Sequence, residues 1–272
     1  MAEVSSFRPL QLKELELFKQ FRDFCEAHDI TYYALGGTLL GAVRHEGFIP
    51  WDDDMDLGVP REDYERFLKL CEEEEVPFEL HTFRNDPKHY RYFARIEDPS
   101  MKVRRTDNQT VEVSNAWVDI FPLDGMPNNK YLREFHKYYV LWRRAAYKFS
   151  CFDLGVNVEK ANRPLVERLL IKVGMVLPVE KFFRLDRELN KLDRALKRFP
   201  YAKSDYLVNA MGAYKFREMF HKQYYGKGRA YPFEDTTVWG PEDYDFVNTQ
   251  LYGDYMKPPA EADRNHHSSE IL

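Results

Sequence analysis

The feature that most constrains this chain is an acidic cluster at residues 52–56, in which four of five residues are aspartates. The cluster follows Pro50 and Trp51 and runs directly into the apolar stretch 57–59. Like charges this close together repel one another, so a folded chain tolerates them only where something neutralises them. A bound cation would neutralise this segment, and a solvated loop is the alternative for an acidic cluster taken alone.

Side chains two residues apart share one face of a β-strand. Asp52, Asp54 and Asp56 are therefore predicted to point one way, with Met55 and Leu57 pointing toward a core. Hard divalent cations such as Mg²⁺ or Mn²⁺ bind carboxylates together with substrate phosphates. The cluster therefore predicts a metal site with these three aspartates as candidate ligands.

A glycine turn precedes the acidic segment. Residues Gly36–Thr38 separate a predicted strand at 30–35 from a predicted short helix at Leu39–His45. Small residues let a phosphate approach the backbone, and a helix N-terminus offers free N–H donors. Arg44 can add a positive charge, so this arrangement predicts a phosphate cradle beside the metal site.

A third carboxylate is expected from a later strand, and the stretch "AWVDIFPLDG" offers one. By alternation Val118 and Ile120 face the core, which leaves Asp119 on the opposite face. Asp119 is therefore a candidate for the site. Asp124 is predicted only to begin a turn.

The remaining pattern predicts one α+β domain. A core of about residues 10–125 and 201–260 is expected to carry a helical insert at about 128–200. The turn residues Asn85-Asp86-Pro87 and Asp98-Pro99-Ser100 separate several strand-like runs between Phe78 and Phe121, which predict a mixed or antiparallel sheet. Helices are predicted at 9–28, 60–71, 129–150, 162–177, 181–198 and 241–252, and the second strand is predicted at Asp54–Val59.

Composition excludes some classes of function. The net charge of −5 argues against a general nucleic-acid-binding protein, which usually carries a basic excess. No apolar run reaches about 18 residues, so no membrane-spanning helix is predicted. Cys25, Cys71 and Cys151 form no paired motif, which favours a reducing, cytoplasmic setting.

The stretch "GGTLLGAVRHEGFIPWDDDMDLGVPREDYERF" resembles the signature of the LicD family, which comprises phosphorylcholine transferases and is related to fukutin-type ribitol-phosphate transferases. The likeness continues in "YFARIED", "WVDIFPLDGMP" and "FEDTTVWGPEDYDFVNTQLYGDYMKPP". The resemblance therefore covers most of the chain, from about residue 10 to 260, and it implies that residues 1–272 form one domain. Membership implies a nucleotidyltransferase-like fold with a mixed β-sheet core and flanking helices.

The resemblance also implies site residues. The segment "WDDDMD" contains two D-x-D pairs, Asp52-x-Asp54 and Asp54-x-Asp56, and the second is preferred because it leads directly into the strand. The implied set is Gly36, Gly37 and Thr38 at the donor phosphates, Asp54 and Asp56 as the metal-binding pair, Asp52 as an added ligand, and Asp119 as the third acid.

The chemistry implied by the family is transfer of a phospho-alcohol group, often phosphocholine, from a CDP-activated donor to a sugar hydroxyl, with release of CMP. The acceptor would belong to a cell-surface glycan, such as a teichoic-acid or lipopolysaccharide precursor. A lipid-linked acceptor would bring a cytoplasmic enzyme into peripheral contact with the inner face of the membrane. Asp54 and Asp119 are both candidates for the base, and Arg44, Arg95 and Lys215 are candidates for phosphate contacts.

A choline headgroup would be held by aromatic faces, through cation–π attraction of roughly 0.5–2 kcal/mol per ring. Trp239, Tyr244, Tyr252 and Tyr255 could supply such a cage, although ordinary core packing is the favoured interpretation for any single ring. Two further functions remain open at this point. One is a nucleotidyltransferase that acts on a small acceptor, and the other is a non-catalytic binding module that retains the fold.

Overall fold

The computed structural model describes residues 7–107, 110–152, 171, 175, 183–260, 264 and 269–272. Within these ranges the chain forms an α+β fold, as predicted. The helices are α1 (Arg8–Ala27), α2 (Gly36–His45), α3 (Arg61–Glu73), α4 (Lys130–Ser150), α5 (Leu185–Leu196) and α6 (Tyr244–Tyr252). The strands are β1 (Tyr33–Ala34), β2 (Asp56–Pro60), β3 (Glu79–His81), β4 (Ala94–Asp107), β5 (Thr110–Met126), β6 (Tyr206–Val208), β7 (Met219–His221), β8 (Arg229–Phe233), β9 (Thr236–Gly240) and β10 (Ser269–Ile271).

A mixed sheet forms the centre of the molecule, and its main path runs β1-β2-β5-β4-β10. Strands β2 and β5 pair in parallel, whereas the other pairings of the described residues are antiparallel. The parallel register places Asp56 beside Asp119 and Leu57 beside Ile120. Two acids that are far apart in sequence therefore become neighbours in the sheet.

The elements around the glycine turn begin at different residues from those predicted. Helix α2 starts at Gly36 rather than Leu39, because the glycines form its first turn. The strand predicted at 30–35 keeps ladder pairing only at Tyr33–Ala34, and the second strand starts at Asp56 rather than Asp54. The acidic cluster therefore lies mostly in the loop that enters β2.

Two predicted turns of the central sheet are wrong. The residues Asp98-Pro99-Ser100 do not separate two strands, because β4 continues through them with a register shift between Asp98 and Lys102. A bulge of this kind accommodates extra residues without ending the ladder. Asp124 does not begin a turn either, since β5 continues to Met126 and buries the Asp124 side chain.

The helical predictions are largely confirmed. Helices α1, α3, α4, α5 and α6 match the predicted segments to within a few residues at each end. The segment predicted at 162–177 lies outside the described residues, apart from positions 171 and 175. Helix α4 packs against α5, and both contribute to a second apolar cluster that includes Val140, Tyr147 and Leu192.

A buried ion pair connects α3 to the sheet. Arg61 and Asp124 are only 6% and 1% exposed. Arg61 Nε donates to Asp124 Oδ1 at 2.7 Å, and Nη2 donates to Oδ2 at 2.9 Å. Nη2 also donates to the Tyr92 hydroxyl at 2.8 Å. The pair therefore fixes the start of α3 against the end of β5.

Replacing Arg61 with Met should lower the free energy of unfolding by about 3–5 kcal/mol, because Asp124 is left as an unpaired buried charge. Urea unfolding would measure this loss. The control is Lys69→Met, which breaks the exposed ion pair with Glu73 and should cost less than about 1 kcal/mol. Equal stability of the two variants would contradict a structural role for the buried pair.

Candidate active site

A cleft of about 590 Å³ opens where β2 and β5 meet the first turn of α2. All four aspartates predicted for the metal site line this cleft. Its volume lies in the range of sites for small ligands. The described residues that line it include Gly36, Gly37, Arg44, Trp51, Asp52, Asp54, Asp56, Asp119, Tyr214, Glu218, Tyr252 and Tyr255.

The predicted alternation of the acidic segment is confirmed. Asp52, Asp54 and Asp56 are half-buried and line the cleft, whereas Met55 and Leu57 are fully buried in the core. The buried side chains of Met55 and Leu57 therefore hold the neighbouring carboxylates at the surface of the cleft.

Asp53, which the sequence analysis did not assign, belongs to the same cluster. Carboxylate oxygens of Asp52, Asp53 and Asp54 lie within 4.8 Å of one another. Asp53 is fully buried and accepts a hydrogen bond from the hydroxyl of Ser269, in β10. The close trio therefore comes from three consecutive residues.

The surroundings of Asp56 make its charged form costly. Burial raises the pKa of Asp56 well above its ordinary value, and the negative charges of Asp54, Asp119 and Asp52 raise it further. A hard cation would reverse this effect by neutralising the crowded carboxylates. The oxygen-rich donor set therefore fits Mg²⁺ or Mn²⁺.

Arg95 forms a buried ion pair with Asp119. The two residues are directly opposed on β5 and β4. Arg95 Nε donates to Asp119 Oδ1 at 2.7 Å, and Nη2 donates to Oδ2 at 3.1 Å. Arg95 is 2% exposed and is not among the cleft-lining residues. The guanidinium of Arg95, a candidate for a phosphate contact, therefore orients the Asp119 carboxylate in this structure.

The glycine turn lets the carboxylates approach helix α2. A Cβ atom at Gly37 would lie 2.5 Å from Asp52 Oδ2, which is too close for any real side chain. Gly36 has a φ of +48°, a conformation that glycine adopts without strain. The Thr38 hydroxyl accepts the backbone N–H of Asp56 at 2.8 Å. Thr38 therefore ties α2 to β2 and does not itself line the cleft.

The structure separates the two remaining basic candidates. Arg44 lines the cleft, where its Nη1 donates to the backbone carbonyl of Tyr255 at 2.8 Å. Lys215 lies in a short 3₁₀ turn at Lys215–Glu218 and is absent from the described lining of the cleft. Arg44 is therefore placed for a phosphate contact, whereas Lys215 is not.

Aromatic side chains form part of the cleft wall. Tyr252 and Tyr255, two of the four candidates for a choline cage, line it together with Trp51 and Tyr214. The other two candidates for the cage are not among the described residues that line the cleft. Trp239 is 40% exposed on β9, and Tyr244 packs against Tyr231. The aromatic rings that line the cleft are therefore those of Trp51, Phe93, Phe121, Tyr214, Tyr252 and Tyr255.

Glu14 is a functional candidate that the sequence analysis missed. It lies on the apolar face of α1, is 0% exposed, and has no hydrogen-bond partner among the described residues. Burial raises the pKa of Glu14 well above its ordinary value, and Asp54, Asp53 and Asp52 raise it further. Its position among the apolar residues of an amphipathic helix could have identified Glu14 as a buried acid from the sequence.

Glu218 is a second missed acid, and it lines the cleft directly. Burial raises the pKa of Glu218 to about 7. It comes from a segment far along the chain from the acidic cluster, so no local spacing connects the two. The cleft therefore contains a carboxyl group that titrates near neutral pH.

The chain is similar in sequence to one family model and to two named transferases. Residues 29–154 match the family model described as LicD/FKTN/FKRP, nucleotidyltransferase domain. The chain is 30% identical to the lipopolysaccharide cholinephosphotransferase LicD of Haemophilus influenzae, over 97% of both proteins. It is 55% identical to the human ribitol 5-phosphate transferase FKRP over 38 residues, which is 14% of this chain and 8% of that protein.

Replacing Glu14 with Met should stabilise the protein at pH 8 in the presence of EDTA by about 1–3 kcal/mol, because a buried polar group without a partner is removed. The folded-state pKa of Glu14 is raised above 4.5, so the wild type loses stability as pH rises above that value. The gain should therefore shrink toward pH 4.5. Thermal unfolding across pH 4.5–8 would measure it.

The control for this prediction is Glu16→Gln. Glu16 is exposed on the same helix and pairs with Lys13, so this change should have little effect at any pH. A Glu14→Met variant that is less stable than the wild type at pH 8 would show that Glu14 makes a stabilising contact.

Proposed function

This chain belongs to the LicD/FKTN/FKRP family of phosphotransferases, and we propose that it transfers phosphocholine from a CDP-activated donor to a sugar hydroxyl of a cell-surface glycan, using Mg²⁺ or Mn²⁺ and releasing CMP. The observation that carries this proposal is the similarity to the Haemophilus cholinephosphotransferase over 97% of both chains. A lipopolysaccharide or teichoic-acid precursor would be the acceptor.

The cation would be held by Asp54 and Asp56, with Asp52 and Asp119 as further ligands. These four side chains line one cleft, and their mutual repulsion without a cation supports the assignment. When bound, the cation would neutralise the donor diphosphate and the charge that develops on the leaving CMP. Arg95 contributes by holding both oxygens of Asp119 in place.

The donor would lie with its diphosphate at the start of α2 and its choline against the aromatic wall. None of the described side chains caps the N-terminus of α2, so its first backbone N–H groups are available to an anion. Arg44 lines the same region and adds a positive charge. The rings of Tyr214 and Tyr252, whose centroids are 5.5 Å apart at right angles, offer two faces to a quaternary ammonium group.

A lipid-linked acceptor would require only peripheral membrane contact, because no described helix is both long and apolar enough to cross a bilayer. We propose α4 as the surface that makes this contact. Its Tyr131, Phe135, Tyr138 and Trp142 are exposed by 51–84% and lie on one face of the helix. Helix α4 also carries six Lys or Arg residues against one Glu, which suits an anionic lipid surface.

Products distinguish this function from its rivals. The purified protein is incubated with Mg²⁺, an acceptor lipopolysaccharide lacking phosphocholine, and CDP-choline, CDP-ribitol or CDP-glycerol. CMP release with incorporation of the alcohol phosphate supports the proposal and identifies the alcohol. Pyrophosphate release from CTP would indicate a nucleotidyltransferase. Absence of both, together with no binding of Mg²⁺ or Mn²⁺, would indicate a non-catalytic module.

Replacing Asp56 with Asn should reduce CMP release by about 10³-fold or more, because one carboxylate of the metal-binding pair is lost. The fold should remain intact, since the change removes a repelling charge. Turnover and thermal stability would be measured together. The control is Asp235→Asn, an exposed aspartate outside the cleft. Near-normal turnover of the Asp56 variant would reject the metal assignment.

Binding to vesicles tests the role proposed for α4. The wild type should sediment with vesicles that contain anionic phospholipid, and the double variant Phe135→Ser/Trp142→Ser should remain in the supernatant. The control is Leu12→Ser, which removes an exposed apolar side chain from α1. Equal sedimentation of the wild type and the double variant would contradict this role.

A further inference from the structure

We propose that Glu218 is the general base of the transfer and accepts the proton of the acceptor hydroxyl as it attacks the donor. This inference rests on the proposed function and assigns one of its steps to a residue outside the acidic cluster. Glu218 ends the 3₁₀ turn that precedes β7, so it belongs to a part of the cleft wall separate from the aspartates.

The carboxylate of Glu218 is fixed in position by neutral donors. Oε2 accepts from Asn209 Nδ2 at 2.8 Å, and Oε1 accepts from the backbone N–H of Tyr214 at 2.8 Å. A Cβ atom at Gly212 would lie 2.2 Å from both oxygens, so only glycine leaves room for the carboxylate there. Each oxygen retains a lone pair beyond the one hydrogen bond shown, and the group lines the cleft.

The electrostatic surroundings suit a base at neutral pH. Burial raises the pKa of Glu218 to about 7, although the Tyr214 N–H, Arg144 and Asn209 each act to lower it. General bases work best with a pKa near the working pH. The charged and titratable groups that face Glu218 are Arg144 on α4, Asp56 on β2, Tyr252 on α6, and Tyr214 and Tyr225.

The aspartates are less suited to this step. Both oxygens of Asp119 accept hydrogen bonds from Arg95, which compensates its charge. Asp54 belongs to the close trio of carboxylates whose oxygens are proposed to hold a cation. Two sets of acids in different surroundings therefore divide two tasks, with the aspartates binding and Glu218 accepting the proton.

The proposed transfer forms one bond to phosphorus and breaks another. The acceptor oxygen forms a bond to the phosphorus that carries the choline, and its proton passes to a carboxylate oxygen of Glu218. The bond between that phosphorus and the bridging oxygen breaks, and its electron pair leaves with CMP. Glu218 then returns the proton to solvent or to the departing phosphate.

The test compares Glu218→Gln with the wild type, with CDP-choline as donor and lipopolysaccharide lacking phosphocholine as acceptor. The Gln variant should lower kcat/KM for CMP release by about 10²–10⁴-fold, because proton transfer is lost. Its affinity for CDP-choline with Mg²⁺, measured by titration calorimetry, should be unchanged. The matched control is Glu242→Gln, an exposed glutamate outside the cleft.

The pH profile provides a second readout. A carboxylate base is active when deprotonated, so wild-type kcat/KM should rise with pH to a plateau above about 7. This rise should be absent from the Gln variant. A Glu218→Ala variant should regain activity when formate is added, since a small carboxylate can occupy the vacated space.

Each outcome has a definite meaning. Lost activity with normal donor affinity, a flattened pH profile and formate rescue would support the assignment. An active wild type with an equally active Gln variant would overturn the role of Glu218 alone. Loss of donor affinity or thermal stability in both variants, without rescue, would show that Glu218 is structural. A wild type that releases no CMP from any CDP donor would contradict the proposed function and the inference with it.

Discussion

The parallel pairing of β2 with β5 is the contact on which the rest of the cleft depends. It places Asp56 beside Asp119, while β4 brings Arg95 opposite Asp119 from the other side. Because side chains alternate along a strand, a slip of one residue would turn these acids into the core. The fully buried Leu57 and Ile120, which are also neighbours in this register, hold the pairing in place by their burial.

Arginine side chains offset part of the negative charge of these acids on the side away from the cleft, and the cleft leaves their other side accessible. Arg95 donates hydrogen bonds to both oxygens of Asp119. The carboxylates of the cluster also affect the pKa of Arg105. Burial acts to lower the pKa of Arg105, but the carboxylates of Asp54, Asp53 and Asp119 raise it overall. The side of the acids that faces the cleft retains unfavourable negative charge, which a bound cation would neutralise. With the proposed cation bound, the site would be more stable than by itself, as expected where function competes with stability.

The parts of the cleft wall differ in chemistry because they come from different parts of the chain. The β2–β5 wall supplies carboxylates, α2 supplies glycines and an uncapped N-terminus, and the segment before β7 supplies Glu218. Tyr252, on α6, adds an apolar face beside them. Separate supports of this kind would allow Glu218 to keep a pKa of about 7 while the aspartates hold the proposed cation.

The sequence by itself determined the features that depend on local period and spacing. These include most helices, the direction in which Asp52, Asp54, Asp56 and Asp119 point, and the family. Tertiary structure alone decided which distant segments meet. It placed Arg95 behind Asp119, buried Glu14 beside the cluster, brought Glu218 into the cleft and left Trp239 outside it. The physical reason is that strand and helix periods fix which way a side chain points, whereas its partner depends on how the sheet and helices pack.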